Sequence, residues 1–322
     1  MLQLNFRLIS YIIGLLLLFN STAIFLTSFV SYYFSDGFFS SILKSGFICF
    51  ALGFSIMFFS KNPKKIINRR DGYLVVVIGW LTMVFSGMLP YIFTNTIDNV
   101  PDLIFETMSG YTTTGSSIIS DIEALPESII FWRSMTHWLG GMGIIVLAIA
   151  ILPMLGIGGM QLFSAEAPGS GISGDKIHPR ISNTAKRLWF IYFGLTLLET
   201  LLLNIAGMSF FDAINHSMSN IATGGFSTKN DSLSFWNSMP QIQYIIIFFM
   251  ILAGTNFLLI YLSLIGKFKK LFYNTEFIWF LVLIASFVLI TTVILNSYVD
   301  LDSTNFNPVS YTHLTLPTSR SV

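Results

Sequence analysis

The chain has 322 residues, of which 53% are hydrophobic, 16% aromatic and only 10% charged, with a mean hydropathy of +0.72. That balance excludes a water-soluble globular protein, where charged residues make up about 25% of the chain, and places the polypeptide in a bilayer. The formal net charge of +1 is uninformative about nucleic acid, but the basic residues are gathered in short loops rather than spread along one face, so nucleic-acid binding is not expected.

A spanning helix needs about 20 mainly apolar residues. Seven stretches qualify, near residues 8–34, 38–60, 72–95, 126–153, 187–207, 240–266 and 277–299. The first follows Arg7, as in a signal peptide, but no small-residue cleavage pattern closes it and a second apolar run follows, so it reads as a span. Residues 1–71 then form a leader helix pair. Residues 72–154 form a first pore unit: a span, a short helix over about 101–111, the segment TTTGSS and a return span. A loop at 155–186 leads to a second pore unit at 187–266, with its short helix over about 211–221 and the segment ATGGFS. Residues 267–308 begin a third unit. The last residues, 309–322 (VSYTHLTLPTSRSV), fit neither repeat nor span. They resemble translated sequencing-adapter read-through, and the expectation is a non-native tail that interrupts the natural chain near Pro308. The predicted fold class is an all-α polytopic membrane protein with two leader helices and repeated helix/pore-loop/helix units, two complete and a third begun.

Lysines and arginines in short loops set orientation. Lys61, Lys64, Lys65, Arg69 and Arg70, then Lys176, Arg180, Lys186 and Arg187, then Lys267, Lys269 and Lys270 mark three cytoplasmic loops. The intervening segments carry Asp98, Asp102, Glu106, Asp121, Glu123 and Glu127, then Asp212 and Asp231, then Asp300 and Asp302, and face outside. The N-terminus is therefore expected on the cytoplasmic side.

The internal repeat carries the functional expectation. Asp102–Ser117 (DLIFETMSGYTTTGSS) aligns without a gap with Asp212–Ser227 (DAINHSMSNIATGGFS), and seven of sixteen pairs are identical, including Met108/Met218, Ser109/Ser219, Thr113/Thr223, Gly115/Gly225 and Ser117/Ser227. One Thr/Gly segment alone also fits an ordinary helix contact or kink; the same segment at the same place in two repeats does not. Irregular backbone at membrane depth survives only where protein buries it or water reaches it. A desolvated small ion costs on the order of 20 kcal/mol in the idealised limit, and replacing its water shell takes oxygen ligands. Backbone carbonyls and Thr hydroxyls supply them without net charge, and Gly115 and Gly225 permit the necessary backbone conformations. Glu106 and His216 share one position in the two copies and are expected to hydrogen-bond and support the filter, while Asp102 and Asp212 are expected as N-caps of the short helices.

Other motifs carry less. GSGISG, Gly169–Gly174, satisfies a dinucleotide pattern but lacks the surrounding βαβ unit, and Ser173 within it has no histidine partner at membrane depth for intramembrane proteolysis. His137, His178, His216 and His313 show no metal-ligand spacing, and the single cysteine, Cys49, supports neither a disulfide nor a cysteine-based metal site within one chain. No nucleophile-and-base set or pair of carboxylates facing one cavity is legible, so an enzyme is not expected. Trp138–Gly143 (WLGGMG) presents small residues for close helix packing. Arg133 is expected to pair with an acidic residue at the outer surface, and Asn256 to hydrogen-bond a neighbouring helix and help support the filter.

FETMSGYTTTGSS (105–117), FWRSMTHWLGGMGIIVL (131–147), AEAPGSGISGDKIHPRISNTAKRLW (165–189), NHSMSNIATGGFS (215–227) and LAGTNF (252–257) together resemble the Trk, Ktr and HKT superfamily of potassium transporters, specifically its TrkH type. The resemblance implies a pseudo-fourfold pore of four helix/pore-loop/helix units, potassium as the transported ion, no resident cofactor, a homodimer in the bacterial cytoplasmic (inner) membrane, and a cytoplasmic TrkA-type nucleotide-binding regulatory subunit. Carried over by motif position, the filter is Thr112, Thr113, Thr114 and Gly115, then Ala222, Thr223, Gly224 and Gly225, with potassium at Thr113, Thr114, Ala222 and Thr223. Sodium-passing relatives in plants carry serine at the first filter glycine, so Gly115 favours potassium. Two of four filter strands, the gating loop of the third unit and the basic residue of the last are missing from this chain. A sodium-permeable transporter of the same fold and a non-conducting assembly subunit remain the alternatives.

Overall fold

The computed structural model describes residues 4–60, 69–155 and 180–298. All regular secondary structure among them is helical. The loop containing GSGISG, the lysines at 61–65 and the tail at 309–322 lie outside the described residues.

The leader pair is α1 (Phe6–Phe34) and α2 (Phe39–Phe59). Asn5 caps α1 by accepting from Leu8 N, and Ser35 ends it in the left-handed region. The two helices pack antiparallel at glycine: a Cβ on Gly14 would lie 2.9 Å from Gly53 O, and one on Gly53 2.9 Å from Leu17 Cβ. Where lipid is as apolar as the side chains, close backbone approach of this kind drives helix pairing.

The third predicted span, at 72–95, is a helix in two pieces, α3 (Arg69–Gly87) and α4 (Leu89–Thr94). Pro90 has no N–H to donate to the preceding turn, and the helix is interrupted there. Next come α5 (Val100–Tyr111) and, after a loop, α6 (Glu127–Leu155). The second set is α7 (Arg180–Ile205), α8 (Phe210–Ile221), a 3-10 turn at Ser232–Trp236, and α9 (Pro240–Gly254). At 12 residues each, α5 and α8 are about 18 Å long, too short to cross a bilayer. Each packs against longer helices, α5 against α3 and α6, and α8 against α7, α6 and α9.

Among the described residues, five helical segments are long and apolar enough to span, namely Phe6–Phe34, Phe39–Phe59, Arg70–Thr94, Lys186–Ile205 and Thr275–Ile294. The span predicted at 240–266 is bent: α9 and α10 (Phe257–Leu264) meet at 104°. The break has a local cause. Thr255 is extended, Asn256 restarts the helix as its cap, and Gly254 leaves room for a ring, since a Cβ there would lie 2.8 Å from Phe280 Cζ. The short α11 (Lys269–Phe272) and the apolar α12 (Thr275–Tyr298) follow.

Candidate functional site

The two short helices begin alike, though not as expected. Asp102 and Asp212 are not the N-caps; these are Asn99 and Ser209, and the aspartates sit in the first turn. There they face unpaired N–H groups and the positive end of the helix dipole. In α8, Ser209 Oγ accepts from Asp212 N at 3.1 Å and donates to Asp212 Oδ2 at 2.7 Å. Asp212 Oδ1 also accepts from Thr228 Oγ1 at 2.6 Å, tying the helix start to the residues beyond its loop.

The helix ends match bond for bond. Thr113 N donates to Gly110 O at 3.1 Å and Thr114 N to Ser109 O at 3.0 Å; Thr223 N donates to Asn220 O at 2.8 Å and Gly224 N to Ser219 O at 2.8 Å. Each is a Schellman cap, a motif whose left-handed position is normally glycine. Here it is threonine, with φ of 54° at Thr113 and 56° at Thr223. A β-branched residue in that region is a genuine outlier and costs about 1–2 kcal/mol. Two residues on, Gly115 at 76° and Gly225 at 95° are left-handed again. Both loops thus reverse hand at every second residue. The N–H groups of this stretch turn inward to the short helix, Gly225 N donating also to Ser219 Oγ at 3.0 Å.

Side chains behind the loops hold this shape. Glu106, wholly buried, accepts from Ser117 Oγ at 3.1 Å and from Ile118 N at 3.0 Å. Its counterpart His216 has Nε2 3.5 Å from Ser227 Oγ. Ser109 Oγ donates to Ser116 O at 2.6 Å. Arg133 is not at the outer surface: it is 1% exposed, with Nε 2.9 Å from Glu106 Oε1 and Nη2 3.0 Å from Ser117 Oγ. Glu106, counted with the outward acids in the sequence, is likewise interior. Arg133 carries its guanidinium 4.2 Å from the Phe226 ring centroid in the second loop.

Helix α6 is the wall that both loops share. His137 stacks on Phe226 at 3.9 Å, and its Nδ1 lies 3.0 Å from Ser219 Oγ. Gly140 abuts the first loop so closely that a Cβ would sit 1.9 Å from Tyr111 O, while a Cβ on Gly141 would sit 3.0 Å from Ala222 Cα. The expected packing role of WLGGMG therefore has a particular object: one glycine for the base of each loop. Gly224 in turn makes room for the His137 ring. The loop ends are laced together by Ile122 N to Asn230 Oδ1 at 2.7 Å, Asn230 Nδ2 to Asp121 Oδ1 at 2.9 Å, and Lys229 Nζ to Glu123 Oε1 at 3.2 Å.

Asn256 accepts from Leu258 N at 3.0 Å and caps α10 at the break. Two polar residues inside spans were missed by sequence reasoning, and a third, His137, was weighed there only as a metal ligand. Glu199, buried in α7, accepts from Asn220 Nδ2 at 2.5 Å. Asn20, buried in α1, accepts from Tyr111 Oη at 2.7 Å and donates to Ser86 Oγ at 2.8 Å. His137 joins them. An acid, an amide and an imidazole within apolar runs are the signal that marks such positions.

These features define a class: a polytopic helical membrane protein with two similar short-helix-and-loop segments set against one shared helix. Within that class, residues 39–310 match the TrkH family, described as cation transport proteins, and the chain belongs to that family. It is 41% identical over 293 residues to the Trk system potassium uptake protein TrkH of Salmonella typhimurium, covering 90% of this chain and 60% of the relative. It is 33% identical over 247 residues to the Trk system potassium uptake protein TrkG of Escherichia coli K12, covering 76% of this chain and 50% of that one. Its fold matches the crystal structure of the potassium transporter TrkH from Vibrio parahaemolyticus with a TM-score of 0.85 and 33% identity, over 97% of this chain and 64% of that one. The chain thus spans about 60% of the length of the curated relatives it matches.

Proposed function

We propose that this chain supplies two selectivity-filter strands of a potassium uptake path across the bacterial inner membrane, with its N-terminus in the cytoplasm. The observation that carries the proposal is the paired left-handed Thr and Gly, Thr113/Gly115 and Thr223/Gly225, each following a Schellman-capped short helix. In a regular strand successive carbonyls face opposite sides; reversing hand at alternate residues brings them to one side and leaves the N–H groups to the supporting helix. Potassium is then bound by oxygens of Thr113 and Thr114 in one strand and of Ala222 and Thr223 in the other, with Thr112, Gly115, Gly224 and Gly225 completing the strands. Glu106 and His216 fix the width, and Asn256 acts through the bend that it caps.

The Arg133–Glu106 pair keeps the first strand's surroundings neutral, so ions are held by dipoles and released readily. No chemical step at the pore is required: at about −150 mV a monovalent cation gains about 3.5 kcal/mol, equivalent to about 300-fold accumulation. The pore units at 72–154 and 187–266, a pseudo-fourfold assembly with further units, a homodimer and a TrkA-type cytoplasmic regulator belong to the same proposal. The names and fold of the relatives support it.

The test is potassium-dependent growth of an uptake-deficient bacterium carrying the full-length gene. Rescue by the parent and none by Gly115→Asp, at equal membrane expression, is expected; equal rescue by both rejects the filter. Gly115→Ser should raise sodium flux relative to potassium. A parent that already passes sodium as well as potassium would favour a sodium-permeable transporter.

A further inference from the structure

We infer that Arg133 is a positioning residue for both filter strands at once, an inference that rests on the filter reading above. Its guanidinium fork binds Glu106 Oε1 and Ser117 Oγ behind the first strand, and its Cζ lies over the Phe226 ring of the second, 4.2 Å from the centroid. From Phe226 the contacts continue through the stacked His137 ring to Ser219 Oγ, which accepts from Gly225 N in the second filter. An unbroken set of contacts, Ile118–Glu106–Arg133–Phe226–His137–Ser219–Gly225, buried from Glu106 to Ser219, therefore links the two strands through helix α6.

The chain contains its own comparison. Arg133 stands seven residues after Pro126, which precedes the first return helix; seven residues after Pro240, which opens the second, stands Ile247. Where the short helix carries an acid, Glu106, the return helix carries the arginine; where it carries neutral His216, the return helix carries isoleucine. Charge and counter-charge are both present in one unit and both absent from the other. Neutralisation alone would be met by any cation, but stacking on Phe226 needs the planar, weakly hydrated group that arginine has and lysine lacks. The two strands thus share a support, and the second responds to a change made behind the first.

The experiment uses the full-length gene, with rubidium uptake, the potassium-over-sodium flux ratio and the thermal midpoint of the detergent-purified protein as readouts. Arg133→Lys should keep the fold but lower the flux ratio about tenfold, corresponding to about 1.4 kcal/mol. Phe226→Leu should lower it similarly, and the two changes combined should do no more than either alone. A ratio unchanged in Arg133→Lys, or two losses that multiply to about a hundredfold, overturns the inference. Should Arg133→Lys fail to fold, Glu106→His with Arg133→Ile transplants the second unit's neutral pair; uptake restored with a lowered ratio is expected, and restoration of the parental ratio overturns it. Gly115→Asp in parallel separates the two failures: if it transports normally the filter reading falls, whereas if it is inactive an unchanged ratio in the Arg133 variants falls on the shared support alone.

Discussion

Replacing Gly140 by alanine should damage transport far more than a single methyl group ordinarily does. The added Cβ would meet Tyr111 O at 1.9 Å, Tyr111 C at 2.7 Å and Tyr111 Cα at 3.0 Å. All three are backbone atoms of the last residue of α5, so no side-chain rotation relieves the clash. Ordinary contact begins near 3.4 Å, and the difference, 3.4 − 1.9, requires a displacement of 1.5 Å at the base of the filter loop. Overpacking of this kind costs about 1–3 kcal/mol, less than the whole stability of a domain, so the protein is expected to fold with a displaced loop. A misplacement of about 1 Å in a binding constellation lowers rates by about 100-fold. The neighbouring glycines supply the scale. At Gly141 the new Cβ would lie 2.9–3.0 Å from Tyr192 Oη and Ala222, a shift of a few tenths of an ångström in the second loop; at Gly143 nothing lies within 4 Å. Rubidium uptake normalised to folded protein should therefore rank Gly143→Ala, equal to parent, above Gly141→Ala, above Gly140→Ala. Equal uptake by Gly140→Ala and Gly143→Ala would refute the reasoning that α6 sets the filter's position.

Three further outcomes follow from the geometry. Thr223→Gly removes a β-branched side chain from φ 56°; it should raise the thermal midpoint by the equivalent of about 1 kcal/mol while lowering the potassium-over-sodium ratio, and a lowered midpoint would contradict the strain. Tyr111→Phe leaves the buried Asn20 Oδ1 without its donor, which should cost about 1–3 kcal/mol, seen as a lower midpoint in detergent. Asp36, in the turn between α1 and α2, is pulled two ways: partial burial raises its pKa, but hydrogen bonds from Ser128, Ser31 and Phe38 outweigh it and hold the carboxyl below 3.8. Because the folded-state value is depressed, its contribution is fully present above 3.8 and is lost as pH falls through the lower folded value. Asp36→Asn should therefore lower the thermal midpoint near neutral pH, and the gap to parent should close on acidification; a constant gap would argue against the ionised form.

The internal repeat, the two short helices, the irregular Thr/Gly loops and most of the spans are legible in one sequence because each depends on local information: apolar run length, cap chemistry and the limits on unpaired backbone in lipid. The equivalence of Glu106 and His216 follows from the same alignment, and their neighbours Ser109/Ser219 and Ser117/Ser227 stand among its identical pairs. Tertiary structure decided the rest. Arg133 lies 27 residues from Glu106 in the chain, and Tyr111 lies 91 from Asn20. No local pattern states which acid an arginine meets, and so Arg133 was expected at the surface rather than behind the filter. The bend at Asn256 was hidden because hydropathy is blind to direction: α9 and α10 are continuous in apolar character and differ only in where Gly254 admits Phe280 and Asn256 caps a new turn. Sequence alone determined that this chain carries two copies of one short-helix-and-loop chemistry among apolar helices, because run length and an internal repeat are local features. Only the packing of α6 against both loops decided how those two segments are held at one width, because close packing depends on which surfaces meet in space.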